Sequence, residues 1–178
     1  MNAARITQMI IDKYDIDFVV NVGSAGALND ELNIGDIVIG KESVQHDFDI
    51  TVFGHKKGYI TDLGVGTKAD SKLIEKCEKT MASVLNNTNN KCVIGMVASG
   101  DQFCTDLEIK KEITKEFNAD CVEMEGAAIA QVCNLDKVPC VIIRSISDKV
   151  NGSNHEDFET YLEKASRNCA KFIKELLK

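Results

Sequence analysis

The sequence predicts an α/β fold with a mixed, largely parallel central sheet flanked by helices, and three observations predict it. Hydrophobic patterning switches repeatedly between helical period and short β-branched runs, as it does where strands and helices alternate around a parallel sheet. Glycines and polar clusters close the β-branched runs, which marks them as bounded strands. Apolar residues make up 44% and charged residues 28% of the 178 positions, enough for one sizeable core and too hydrophobic for disorder. Residues 1–178 are therefore read as a single domain.

In chain order, residues 2–14 place Ile6, Met9, Ile10 and Lys13 at helical spacing, and FVVNVG at 18–23 is a buried strand closed by glycine. IGDIVIG at 34–40 is a second strand, and Gly54 to Asp70, with Gly58, Gly64 and Gly66, is an extended surface loop with a short strand. Residues 70–86 form an amphipathic helix begun by Asp70, and the polar turn NNTNN at 86–90 leads to the strand CVIGMVASG at 92–100. A helix over 107–117 follows. ADCVEME at 119–125 starts as a strand and runs into the helix EGAAIAQVC, whose small residues permit close packing. VPCVIIRSISD at 138–148 is the most strand-like run, with Pro139 at its start, where a missing N–H is tolerated. A last helix from His155 to Leu177 carries Phe158, Leu162, Ala165, Cys169, Phe172 and Leu176 on one core face.

The formal charge of −7 opposes nucleic-acid binding, which depends on Lys and Arg neutralising phosphates. No apolar run approaches the roughly 20 residues of a membrane span, and the polar–apolar alternation at the start lacks a signal peptide's apolar block. A cytoplasmic location with no membrane partner is expected. Seven cysteines without a CxxC pair signal neither a disulfide framework nor a zinc site, and most are read as reduced core residues.

In open α/β sheets ligands bind beyond the carboxyl ends of strands, and four such segments are unusually polar: GSAG at 23–26, SGDQF at 99–103, EMEG at 123–126 and RSISD at 144–148. GSAG lacks dinucleotide spacing and is weak by itself. The acids of EMEG lie two residues apart, hence on one side if the chain is extended there, where they need a cation or ligand; alternatively they sit at a helix N-terminus, favoured by its dipole. Arg144 and Asp148 end the most buried-looking strand, so they require partners, and an Arg144–Glu123 ion pair is the structural reading. His46, Asp47 and Asp49 of QHDFD offer metal-ligand chemistry, but no second cluster supports a metal. His55 and His155 are isolated and read as exposed.

Taken together and in order, NVGSAGAL, IGDIVIG, HDFDITVFG, VASGDQF, VEMEGAAIAQVC and VIIRSISD resemble the 5′-methylthioadenosine/S-adenosylhomocysteine nucleosidases of the purine nucleoside phosphorylase superfamily, nearly from end to end. The resemblance implies a three-layer phosphorylase-like fold and hydrolysis of these adenine nucleosides to adenine and a thioribose, with no metal or organic cofactor. It implies that Asp148 protonates adenine N7, with Ser147 holding it, and that this acid is tuned to keep its proton. Glu125 would bind the ribose hydroxyls, Met124 would pack on the ribose, and Glu123 with Arg144 would shape the floor near the attacking water. Phe103 would stack on adenine, backbone at Cys104 and Val122 would read the base edge, and Ser24, Ala25 and Gly26 would lie near ribose and water. Phe158 would line the 5′-alkylthio pocket and Phe53 would complete it from a neighbouring subunit, which implies a homodimer. For Phe158, plain helix packing is the competing reading.

Members of that family begin with further strands ahead of the segment that Asn2-Ala3-Ala4 resembles. The resemblance thus implies that about a quarter of the family's domain precedes this sequence, including a glutamate regarded as activating the water. No acid here takes its place by motif. Unpaired sheet edges and uncovered apolar faces are expected in consequence. Other readings are a non-catalytic nucleoside-binding fragment or pseudoenzyme, a purine nucleoside phosphorylase, and a nucleosidase for futalosine or another modified nucleoside.

Overall fold

The structure, a computed structural model, describes residues 1–151 and 154–178, with the side chains of residues 154–159 and 164 outside the description. Helix α1 (Asn2–Lys13) leads into β1 (Val19–Ala27), and β2 (Ile37–Gln45) is followed by a single 3-10 turn at Thr51–Phe53. The loop that follows holds a hairpin of β3 (Tyr59–Ile60) with β4 (Gly64–Val65), then β5 (Thr67–Lys68). Thereafter strands and helices alternate: α2 (Ser71–Leu85), β6 (Cys92–Ser99), α3 (Leu107–Phe117), β7 (Cys121–Glu123), α4 (Gly126–Leu135), β8 (Cys140–Asp148) and α5 (Asn154–Leu176).

The six-stranded sheet has the order β5-β2-β6-β7-β1-β8, and β8 also pairs with β2. That extra ladder joins β2, β6, β7, β1 and β8 into a closed ring where an open sheet was expected. The long ladders, β1–β8 and β2–β6, are parallel; β1–β7, β2–β8 and β2–β5 are antiparallel. Closure requires β2 to approach β8 closely, and Gly40 allows it, since a Cβ there would fall 3.0 Å from the Ile142 carbonyl oxygen.

Strand β8, flanked by β1 and β2, is buried at all nine positions. Its side chains alternate between two cores: Ile142 and Ile146 pack with Ile129, Ala130 and Cys133 of α4, whereas Val141 and Ile143 pack with Leu73, Cys77 and Met81 of α2 and with Phe172 and Leu176 of α5. A third cluster sets Ile113 of α3 against Val44, Ala98 and Val122. On α5, Ala165, Phe172 and Leu176 are core as expected, but Leu162 is exposed. The expected core position of Phe158 lies outside the described side chains.

Two strand boundaries differ from the sequence reading. Gly23 does not end β1, which continues through Ala27, and β2 runs on to Gln45 past an irregularity between Gly40 and Glu42. In both places ladder partners outweigh weak local strand preference. From Val19 to Ala25, β1 pairs with β8 alone; its contact with β7 involves only Gly26 and Ala27. The second edge of β1 is thus without a ladder among the described residues. It lines a groove of about 660 Å³ bordered by Ala3, Ile6 and Ile10 of α1, and Ile6, Met9 and Ile10 are exposed.

Candidate active site

The four polar motifs meet because their strands are neighbours. Across the β1–β8 ladder, Gly23 lies opposite Arg144, Ser24 opposite Ser145 and Gly26 opposite Asp148. Ser99 of β6 lies opposite Glu123 of β7, and Val122 opposite Gly26. Parts of all four motifs line a cleft of about 180 Å³. Ser24, Ala25 and Gly26 come from β1, Gln102, Phe103 and Cys104 from the segment after β6, Val122, Glu123, Met124 and Glu125 from the β7–α4 junction, and Ser147 and Asp148 from β8.

The glycines of GSAG serve close packing within a strand, not a turn. A Cβ at Gly23 would fall 2.7 Å from Arg144 Nη1, and one at Gly26 would fall 2.9 Å from Asp148 Oδ2. Each would displace a polar side chain of the neighbouring strand β8.

Asp148 forms one wall of the cleft and is 2% exposed. Ser147 Oγ lies 2.9 Å from Asp148 Oδ1 and 3.2 Å from the Ala25 carbonyl oxygen. The hydroxyl has one proton, and the carbonyl can only accept it. When Ser147 donates to Ala25, its lone pairs face Asp148 Oδ1 and suit a protonated carboxyl there. On the other oxygen, Lys110 Nζ of α3 stands 3.5 Å from Oδ2. Burial disfavours the carboxylate, while the ammonium favours it.

Glu123 and Glu125 do not share a side. Glu123 ends β7 and is buried, whereas Glu125 has left the extended conformation (φ −134°, ψ −32°) and is exposed at the N-cap of α4, where its side chain makes no capping bond. Glu123 takes over the cap: its carboxylate accepts the Glu125 N–H at 3.0 Å and the Gly126 N–H at 2.8 Å. Ser99 Oγ accepts the Ala127 N–H at 2.7 Å and donates to Glu123 Oε1. Arg144 closes the network, with Nε donating to Glu123 Oε2 at 3.1 Å and Nη2 pairing with the same oxygen. Arg144 Nη2 also donates to Asn21 Oδ1 at 2.7 Å. Burial pushes the Glu123 carboxyl up, but Arg144, Ser99 and the helix N–H groups outweigh it and hold the group below the usual glutamate value. The expected ion pair is present, and it leaves the Glu125 carboxylate open to the cleft.

Arg144 lies outside the cleft itself and lines the adjoining groove, which also includes Ser24 and Glu125. Phe53 is not in the cleft: it is 76% exposed, beside Val52 at 86% and Phe48 at 40%. The placement of Phe158 relative to the cleft is outside the described side chains. QHDFD organises a loop: Asp47 accepts from Gln45 Nε2 and from the Asp101 N–H, and Asp49 accepts the Thr51 N–H. His46 is buried with Nε2 unpartnered among the described residues, so its imidazole packs and does not reach the cleft. His55 stacks on Tyr59 at 4.2 Å and is not isolated.

Sequence reasoning missed Gln102, Asn21 and Lys110. Lys110 did carry a signal, because it shares its helical face with Ile113 and Phe117 at spacings of three and seven.

The profile of the phosphorylase superfamily matches residues 1–178. A 5′-methylthioadenosine/S-adenosylhomocysteine nucleosidase of Staphylococcus aureus is 38% identical over 178 residues, 99% of this chain and 76% of that protein. Among solved structures, the corresponding nucleosidase of Neisseria meningitidis in complex with methylthio-immucillin-A superposes with a TM-score of 0.91 at 39% identity, covering 99% of this chain and 76% of that one. A futalosine hydrolase of Helicobacter pylori superposes at 0.89 with 34% identity, over 98% and 73% of the two chains. The chain belongs to the phosphorylase superfamily and, within it, to the 5′-methylthioadenosine/S-adenosylhomocysteine nucleosidases.

Proposed function

We propose that the chain hydrolyses the N-glycosidic bond of 5′-methylthioadenosine and S-adenosylhomocysteine, releasing adenine and a 5-thioribose product. The observation that carries this reading is the buried Asp148 wall of the cleft, held between Ser147 and Lys110 and sharing that cleft with the exposed Glu125 carboxylate. Breaking a purine–ribose bond builds positive charge on the sugar and negative charge on the base. Asp148 passes its proton to adenine N7, so the base leaves with the bond's electron pair. Water adds to the anomeric carbon and loses a proton to solvent, which returns one to Asp148, and Glu125 holds the ribose hydroxyls while its charge favours the cationic sugar. Glu123 and Arg144 act by fixing the β7–α4 junction that carries Met124 and Glu125.

Phe103, half exposed on the cleft, stacks on the adenine ring, Met124 packs on the ribose, and backbone at Cys104 and Val122 meets the base edge. The small residues Ser24, Ala25 and Gly26 leave room for ribose and water. In this reading the enzyme is a cytoplasmic homodimer, and the exposed Phe53 reaches the neighbouring subunit's site. Likeness to the futalosine hydrolase favours a second reading that differs only in the 5′-substituent accepted.

The test is adenine release from 5′-methylthioadenosine in phosphate-free buffer, followed by chromatography. Asp148→Asn should lower it by on the order of a hundredfold to ten-thousandfold, with free thioribose as the other product. A requirement for phosphate, with a ribose phosphate as product, would make the chain a phosphorylase. Binding of the nucleoside without turnover would make it a binding fragment.

A further inference from the structure

Lys110 is fully buried. An ammonium group removed from water is costly unless charge and hydrogen-bond acceptors compensate it. Its Nζ lies 3.5 Å from Asp148 Oδ2, and 3.4 and 3.5 Å from the carbonyl oxygens of Lys149 and Val150. The two carbonyls contribute dipoles, and Asp148 contributes a carboxyl group.

We propose that Lys110 is a positioning residue that sets how readily Asp148 gives up its proton and that neutralises the carboxylate left behind. The proposal rests on Asp148 being the acid of the reaction. A carboxyl group at 2% exposure keeps a proton well and releases it poorly, because burial weakens solvation of the anion. Ser147 offers a hydrogen bond to Oδ1 but no charge. Lys110 adds the charge at Oδ2, and a low-dielectric interior strengthens that attraction. The proton moves from Asp148 to adenine N7, and Lys110 transfers nothing.

Other groups face Asp148 from the elements packed against it. Gly26 of β1 brings no charge. Cys104, after β6, has a thiol pushed up by burial, with Lys110, Asp106 and Asp148 as its charged neighbours. Asp106 is exposed and accepts the Glu108 N–H as the cap of α3.

The experiment uses the full chain labelled with ¹³C at aspartate carboxyls, and Asp148→Asn identifies the Asp148 resonance. Removing a cation favours the protonated acid, so the titration midpoint of Asp148 should rise by about one to three pH units in Lys110→Met and Lys110→Gln. Lys110→Arg should return it towards the wild-type value. In Lys110→Met, kcat should fall by on the order of a hundredfold with KM little changed, and the alkaline limb of the pH profile should move up with the midpoint. An unchanged midpoint in either folded neutral variant overturns the proposal. Should neither variant fold, the ¹⁵N resonance of Lys110 Nζ decides: it should shift as Asp148 titrates and lose that step in Asp148→Asn, and a missing step in the wild type is equally fatal. A midpoint that moves in a chain that releases no adenine sinks the proposed function and leaves the ion pair's role standing. Adenine release with an immobile midpoint does the reverse.

Discussion

Glu123 stays ionised in a place that burial disfavours because Arg144, Ser99 and two helix N–H groups converge on its two oxygens. Its depressed folded pKa means that the network's stabilisation is complete above the free-glutamate value of about 4.3 and is lost as pH falls through the lower folded value. Denaturant titrations between pH 7 and pH 3 should show that loss. Glu123→Gln should cost about 3–5 kcal/mol at pH 7, because Arg144 is left buried without a counter-charge, and should flatten the acid dependence; an undiminished acid slope in the variant would assign it to other carboxylates. The Arg144–Glu123 pair was legible in the sequence because a charge ending an apolar run demands a partner. Lys110 was not, because a lysine among KKEITKE resembles a solvated helix face, and only its register with Ile113 and Phe117 distinguishes it. The glycines of GSAG were legible as special but for a different reason: turn geometry is a local property, whereas the space taken by Arg144 and Asp148 belongs to another strand.

Among the elements, helices were the most legible because their ends are written locally. Asp70 caps α2 as expected, its Oδ1 accepting the Leu73 N–H at 2.8 Å, and α3 is capped by Asp106, which accepts the Glu108 N–H at 2.7 Å. Asp70→Ala should cost about 1 kcal/mol, read as a lower midpoint in denaturant with an unchanged slope. A loss below a few tenths would show that packing of Leu73 and Cys77 alone holds the first turn. Strand ends were less legible. The polar tail RSISD stays in the sheet because β1 follows it to Asp148 and β2 flanks it as far as Ser145, and nothing in its own sequence states how many neighbours a strand will have. The short strands between Gly54 and Asp70 were visible only as a glycine-rich loop, because two-residue strands carry no periodicity.

For the whole molecule, the alternation of strands and helices gave the fold class, whereas ring closure through β2 and β8 depends on contacts that no window of sequence contains. Among the described residues, apolar side chains face solvent in the α1–β1 groove and at Phe48, Val52 and Phe53. Exposure of this kind favours self-association. In the proposed homodimer, Phe53→Asp should shift the chain towards monomer in sedimentation equilibrium and raise KM for 5′-methylthioadenosine, while thermal unfolding of dilute protein stays near the wild-type value. Unchanged association would place the dimer contact elsewhere. The ring also governs the order of events during synthesis. Ser147 and Ala25, which meet beside the acid, are 122 positions apart, and β1 gains its long ladder only from β8. Long-range pairing of this kind is slow to form. A ribosome must therefore release nearly the whole chain before the cleft has its Asp148 wall, so a nascent polypeptide stalled anywhere before β8 carries an exposed strand edge and no acid.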